Sequence, residues 1–596
     1  MQFRQDINGL RAIAVMAVVL FHFNETWITG GFAGVDVFFV ISGFLMTGII
    51  FRGIETDTFS LYRFYKARVK RILPALSMAC LFVLIYGFWE LYDIELKDTV
   101  NQSISALSFW SNFYFWKTSS YFSAGSETKI LLHTWSLSAE WQFYIIYPFL
   151  IFLLSKLFDI NKLKYIVFIA FSISLIISIY ASPKWATNAY YLLPTRGWEM
   201  MLGGLAVFIK LNLKTKYLKL CSLLGLFVIF SSYFMISKNN IWPGYLALIP
   251  TFGTFLILIS NVQLKLLSNK LVQTIGTYSY SIYLWHWIVV YMSYRYTNMG
   301  YGVIALGGLL SFFLGRLSYE YIEKKGLSIG NKLIIVFSFL CTLSFYMFSE
   351  ELNKFRPISK SPNNALVTYY EDKKSSTGPW VDNICVKKGE CVKGGVFLWG
   401  DSHAHSLYHG LKSLELPDLS AVTTQRCSPS LNYPDYKLQY GITCNENNKK
   451  AIEHIAYKKP KTVILARRDK HDSSDWEGVA LKLKELGVEK VIVVGPVPQF
   501  RGELPLLVAK KYFGDIVIKK QDMDKNIFIS NEKMNGKRSI NYIYIDVLKS
   551  LCNKNECHFQ SVKGDNFKLI TSDYGHLNDE GSIFIVNELI SNQIVD

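Results

Sequence analysis

Two short blocks far apart in the chain hold the residue types needed for nucleophilic chemistry. Gly400-Asp401-Ser402-His403 sets a serine after a short apolar run, and Asp573-Tyr574-Gly575-His576 sets a carboxylate and an imidazole three residues apart. A serine hydroxyl becomes a nucleophile when an imidazole takes its proton, and the imidazole needs a carboxylate to orient it. Ser402 follows a predicted strand and precedes a predicted helix, where a backbone N–H can stabilise an oxyanion. Ser402 is thus the candidate nucleophile, His576 the base and Asp573 its partner. Gly-Asp-Ser alone would read equally well as a turn, and Asp573 as a helix-leading acid. The Asp-x-x-His block just before the last predicted helix favours catalysis.

A second set of ionisable residues lies in or beside apolar stretches, where they are functional candidates by default. Arg11 and His22 are eleven residues apart, close to three helical turns, so they share a face with His22 roughly 16 Å further along. That spacing suits a charged anchor with an imidazole deeper in the membrane, although a histidine there also reads as a packing residue. Arg68 and Arg71 share a face at the start of another span, and paired arginines suit phosphates. The same basic loop is also what membrane topology demands. Asp36, Glu140, Arg196, Glu199 and His286 are further candidates.

The elements that position these residues fall into two halves. With 596 residues the chain exceeds one domain, and 51% hydrophobic and 15% aromatic content is high for a soluble protein. The apolar residues cluster in eleven runs near the length that spans a bilayer, at 10–28, 34–51, 72–90, 131–154, 164–181, 195–210, 217–236, 243–260, 275–294, 300–320 and 332–349. A second span follows the first at once, and no small-residue cleavage site stands out, so the first run is read as a span and not a leader. Lys and Arg concentrate in alternate loops, above all 52–71, which places the N-terminus in the cytoplasm. The net charge of +17 is thereby a topology signal, and nucleic acid is excluded as a partner. An odd number of spans puts residues 350–596 outside.

Cysteine usage agrees. Cys80, Cys221 and Cys341 lie in spans, whereas Cys385, Cys391, Cys427, Cys444, Cys552 and Cys557 all follow them. An even set outside the cytoplasm reads as disulfides, with 385–391, 427–444 and 552–557 paired by proximity, though sequence leaves the connectivity open. No C-x2-C spacing supports a metal. The predicted strands 396–399, 462–466, 491–495 and 542–546 alternate with predicted helices at 407–414, 474–486 and 578–590. That pattern implies a mostly parallel sheet with chemistry beyond its carboxyl ends.

Two resemblances add to this reading. Gly400-Asp401-Ser402 with Asp573-x-x-His576 resembles the SGNH hydrolase family, which implies the roles given above and an oxyanion hole completed by a glycine and an asparagine. Here the corresponding strand end reads Ala466-Arg467-Arg468-Asp469, without the asparagine, so Arg467 and Arg468 are the candidates to substitute for it or to bind substrate, and Gly441 is a loose candidate for the glycine. Gly9-Leu10-Arg11 with His22, Gly34-Val35-Asp36-Val37-Phe38-Phe39 with Ser42-Gly43, Arg68-x-x-Arg71, and Trp135-Ser136-Leu137 with Glu140 and Phe143-Tyr144 resemble the acyltransferase-3 family. The whole chain resembles the fused acyltransferase-3/SGNH class. The resemblance implies O-acetylation of a bacterial surface glycan, lipopolysaccharide O-antigen ahead of peptidoglycan. It implies acetyl-CoA as cytoplasmic donor near Arg68 and Arg71, no permanently bound cofactor, and a need for Arg11 and His22 in acetyl transfer.

The expected fold is a multi-pass α-helical membrane domain over 1–330, a further helix over 331–350, a linker over 351–380, and an α/β/α SGNH domain over 381–596. It would lie in a bacterial inner membrane with the last domain in the periplasm. Two other functions fit parts of the sequence: an esterase that removes acetyl groups, and an acyl-group transporter with an outer glycan-binding module.

Overall fold

The structure is a computed structural model. It describes residues 4–118, 128–238, 240–296, 300–374, 382–383, 394–416, 418–424, 427–432, 444–537, 539–560 and 568–595. The chain divides into two compact units, Met1–Pro357 and Ile358–Asp596.

In the first unit each of the eleven apolar runs coincides with a helix. They are α1 (Gln5–Phe23), α2 (Gly34–Glu55), α3 (Leu61–Glu90), α4 (Thr134–Leu154), α5 (Ile160–Lys184), α6 (Leu193–Ala206), α7 (Thr215–Met235), α8 (Leu248–Ser260), α9 (Lys270–Tyr296), α10 (Tyr301–Tyr321) and α11 (Ile329–Met347). Among the described residues, eight helices are long and apolar enough to cross a bilayer. The other three differ for physical reasons. Helices α6 and α8 have 14 and 13 residues, about 20 Å at 1.5 Å per residue and short of a bilayer core. Helix α9 is long enough at 27 residues, but it turns Ser279, Ser281 and His286 inward. Helix α1 begins five residues before its apolar run because Asp6 and Asn8 are buried, with Asn8 Nδ2 donating to the Gln273 carbonyl at 2.8 Å.

Small residues set the closest helix contact. A Cβ on Gly43 of α2 would meet the Met200 carbonyl oxygen at 1.7 Å, and one on Gly203 of α6 would meet the Val40 carbonyl oxygen at 1.8 Å. Two glycines therefore let α2 and α6 touch backbone to backbone, as small residues do between membrane helices.

The second unit holds a six-stranded sheet in the order β1-β3-β2-β4-β5-β7. The strands are β1 (Asp382–Asn383), β2 (Val396–Gly400), β3 (Ser420–Thr423), β4 (Thr462–Ala466), β5 (Lys490–Val494) and β7 (Ile543–Ile545). All pair in parallel except β1, which is antiparallel at one edge. Strands β6 (Val517–Lys519) and β8 (Glu556–His558) form a separate antiparallel pair. Strand β2 is buried along its whole length. Val396 and Leu398 pack on one face with Ile464 and Ile492, while Phe397 and Trp399 pack on the other with Val463 and Trp476. Apolar residues on both faces are what a helix-covered parallel sheet requires. The order switches direction at β2, between β3 on one side and β4 on the other, and ligand sites form at such points beyond the carboxyl ends.

Cys427 pairs with Cys444 and Cys552 with Cys557, and Cys80, Cys221 and Cys341 are free thiols. The proposed 385–391 pair lies outside the described residues, as does Gly441.

Candidate active sites

The carboxyl end of β2 carries the first site. Gly400 ends the strand, Asp401 caps helix α12 (Ser402–Ser413), and Ser402 is its first residue. Gly400 has no alternative: a Cβ there would lie 2.1 Å from the Ala466 carbonyl oxygen. The Asp401 carboxylate accepts from the His403 N–H at 2.9 Å and from the Arg468 N–H at 2.8 Å. One buried side chain thereby fixes the helix start and ties it to the end of β4. Burial pushes this carboxyl above its ordinary range, and those two donors draw it back.

From the other end of the chain, the turn 573–576 precedes the helix Asp579–Ile585. Asp573 Oδ1 accepts from the backbone N–H groups of Gly575 at 2.8 Å and His576 at 2.7 Å. Its Oδ2 stands 2.6 Å from His576 Nδ1, and His576 Nε2 stands 2.9 Å from Ser402 Oγ. Burial alone would raise the Asp573 carboxyl, but the His576 hydrogen bond and charge, with the two N–H donors, hold it below its ordinary value. An ionised Asp573 keeps the proton on Nδ1 and leaves Nε2 to accept from the serine. The three residues read from sequence are thus brought into one relay, with the Ser402 N–H at a helix start.

Three side chains that sequence reasoning did not assign, His403, Tyr574 and Gln499, join Arg468 around this site. His403 is buried with its ring centroid 4.4 Å from that of His576, and its Nε2 is 3.4 Å from the Tyr574 hydroxyl. The Arg468 guanidinium lies 4.9 Å from the centre of the Tyr574 ring. Gln499 Nε2 donates to the Arg468 carbonyl at 2.5 Å. His403 and Tyr574 stood inside the two quoted blocks, so their proximity to the base was the available signal; nothing in the sequence marked Gln499. Arg467, the other candidate at this strand end, turns to donate to Ser474.

The membrane unit holds a second constellation. A cavity is lined by Arg11, Arg68, Arg71, Glu140, Tyr144 and Tyr283 among others. Arg11 and Arg71 also line an adjoining opening with Lys70 and Lys324. Three arginines read separately from sequence therefore share one space. Glu140 accepts hydrogen bonds from Ser42 and Tyr144, which gives Ser42 in the Ser42-Gly43 motif its place. Buried Arg68 Nε has no hydrogen-bond partner among the described residues.

His22 is not among the cavity-lining residues. Its Nδ1 stands 3.0 Å from His286 Nε2, and His286 Nδ1 stands 2.6 Å from the Tyr283 carbonyl oxygen. A carbonyl only accepts, so in a neutral pair His286 carries its proton on Nδ1, His22 donates from Nδ1, and the His22 lone pair is on Nε2. Tyr283 connects the two places: its ring lines the cavity, and its hydroxyl bonds Ser136 Oγ at 2.7 Å and donates to the His133 carbonyl at 2.9 Å.

Asp36 is elsewhere. Arg196 Nη1 donates to Asp36 Oδ1 at 2.8 Å and to Glu199 Oε1 at 2.6 Å, with all three side chains buried. This ion cluster bridges α2 and α6 beside their glycine contact and does not line the arginine cavity.

Comparison with known proteins gives a family match for each of the two units. Residues 4–318 match the family model described as an acyltransferase domain, and residues 372–591 match the model described as an SGNH domain fused to AT3 domains. O-acetyltransferase OatA of Staphylococcus aureus is 30% identical over 346 residues, 54% of this chain and 57% of that protein. A second Staphylococcus aureus protein, whose name gives it provisionally as an O-acetyltransferase, is 29% identical over 459 residues, 70% of this chain and 74% of its own length. The chain thus spans a little over half the length of OatA. A solved lipopolysaccharide acetyltransferase periplasmic domain from Salmonella ser. Paratyphi A is 23% identical, covers 40% of this chain and 98% of that one, and has a TM-score of 0.32. A family match over more than half of the chain, with a second over the triad-bearing unit, makes this a membrane acyltransferase of the acyltransferase-3 family with a fused SGNH domain.

Proposed function

We propose that the chain takes an acetyl group from cytoplasmic acetyl-CoA, carries it across the inner membrane, and leaves it on a hydroxyl of a cell-envelope glycan. O-antigen is the first acceptor to test and peptidoglycan the second. The observation that carries this reading is the Ser402–His576–Asp573 relay in a chain whose other unit gathers three guanidiniums around one cavity. The relatives named as O-acetyltransferases support acetyl as the group moved. The basic loop 52–71 supports a cytoplasmic N-terminus, and the two disulfides support an oxidising compartment for the SGNH domain.

In this scheme Arg11, Arg68 and Arg71 hold the phosphates of the donor, since charge-assisted hydrogen bonds to phosphate suit guanidinium. His22 Nε2 either attacks the thioester carbon, with the acetyl–sulfur bond breaking as coenzyme A leaves as its thiolate, or takes the proton of the hydroxyl that makes that attack. On the SGNH domain, Ser402 Oγ attacks the acetyl carbonyl while His576 Nε2 takes its proton. The leaving group departs with that proton, and an acetyl ester remains on Ser402. A sugar hydroxyl then attacks the ester and gives its proton to His576, and the Ser402 C–O bond breaks as Oγ recovers the proton. Asp573 keeps His576 in the accepting tautomer through both steps.

The test is alkali-labile acetate on purified O-antigen and on peptidoglycan from a null strain complemented with wild type, His22→Ala or Ser402→Ala. Acetate on one glycan that is lost in both variants supports the scheme and gives its acceptor class. Acetate that rises in the null strain identifies an esterase instead. Function that survives Ser402→Ala identifies a transporter.

A further inference from the structure

At the lip of the serine site the sequence departs from its family pattern, and the structure shows what stands there. Arg468 stands two residues past the end of β4, and its backbone is pinned on both sides. Its N–H donates to Asp401 Oδ2 at 2.8 Å and its carbonyl accepts from Gln499 Nε2 at 2.5 Å. Its guanidinium lies over Tyr574, 4.9 Å from the ring centre, and the Tyr574 ring is 5.3 Å from that of His576. The side chain is 41% exposed. Among the described residues it makes no hydrogen bond, and its nearest counter-charge, Asp469 Oδ2, is 3.6 Å from Nε.

A structural arginine is ordinarily satisfied. Arg356 in this same protein donates to Asp93, Asn353 and the Phe88 carbonyl. Arg468 is held at its root and set over the Tyr574 ring, yet its fork is unspent. A ring contact and a fixed root lower the entropy lost when a guanidinium takes a partner. Neighbouring Arg467 also keeps a buried Nε without a hydrogen bond.

We infer that Arg468 is a specificity-determining residue that takes an anionic group on the acceptor glycan, a carboxylate or a phosphodiester close to the hydroxyl that receives the acetyl group. The inference rests on the O-acetyltransferase reading and deepens it. A guanidinium fork matches the two oxygens of either anion. An acceptor held at its charge presents its hydroxyl to His576, which favours the sugar over water as the group that opens the Ser402 ester.

The experiment uses the full chain with radiolabelled acetyl-CoA and three forms of de-esterified envelope glycan from the null strain. One form is untreated, one has its carboxylates converted to neutral amides, and one has its phosphodiesters cleaved with hydrofluoric acid. The wild-type protein should label the untreated glycan at least tenfold more than one of the treated forms, and that form names the anion. Arg468→Gln should lose this difference, whereas Arg468→Lys, which keeps the charge, should retain at least threefold of it. A wild type that labels all three forms equally overturns the proposal and leaves the transferase reading standing. So does an Arg468→Gln variant whose label falls by one factor on all three, or an Arg468→Lys variant without preference. A wild type that labels none of them overturns the transferase reading and the proposal with it.

Discussion

At Ser402 the relay depends on a single proton position. Asp573 fixes it by accepting from His576 Nδ1 at 2.6 Å while its other oxygen is occupied by two backbone N–H groups. Asp573→Asn would keep the shape and reverse the tautomer, so turnover should fall about 10³–10⁴-fold. Acetyl transfer by the purified full chain is the measurement, and a loss under tenfold would exclude Asp573 from the relay. In the membrane unit, Arg68→Gln removes one of three cavity guanidiniums. Removing a hydrogen bond to a charged group costs about 1.5–3 kcal/mol, so the apparent KM for acetyl-CoA should rise roughly 10–100-fold. An unchanged KM would mean that the donor binds without Arg68.

At the scale of elements, α2 and α6 are held by two different devices, a glycine contact and the Arg196 ion cluster. Arg196→Met leaves two carboxylates buried without a cation, which should destabilise the membrane unit by about 3–5 kcal/mol. Replacing Asp36 and Glu199 by Leu together with Arg196→Met should recover most of it. Melting of the detergent-solubilised chain decides this, and equal melting of wild type and Arg196→Met would refute a structural role. The same cluster shows where sequence reading stops. Asp36 and Arg196 are 160 residues apart, and nothing in either run marks their pairing. The strands β2, β4 and β5 were legible because burial on both faces leaves continuous apolar runs. Strand β3 was not, because Ser420–Thr423 has only two apolar residues. Helix α13 (Cys444–Lys458) was missed because its polar residues outnumber its apolar ones. The triad was legible because its members carry rare types in fixed blocks, whereas Arg468 needed the fold to show that its fork is unspent.

For the molecule as a whole, acidity acts on the SGNH unit through its buried imidazoles, above all two of them. Burial, with the charge of His576 and Arg468, holds His403 well below the ordinary histidine value, and burial with Arg467 holds His471 at about 3. The folded unit keeps both neutral, while an unfolded chain takes up two protons below about pH 6.5. Their contribution is therefore complete above that pH and is lost as pH falls toward the depressed folded values, by about 1.4 kcal/mol per pH unit for each. Calorimetry of the full chain should show the SGNH transition at a lower temperature at pH 5.5 than at pH 7.5. A transition that stays or rises would contradict neutral burial. The ion cluster also bears on how the molecule is made. Helix α6 is too short and too polar to enter lipid unaided, and α2 leaves the ribosome 160 residues before Arg196 does. At about 5–20 residues per second, the nascent chain carries an unneutralised Asp36 for roughly 8–30 s. The insertion machinery must shelter α2 for that interval, so the first sign of a defect at Arg196 would be half-made chains destroyed by quality-control proteases.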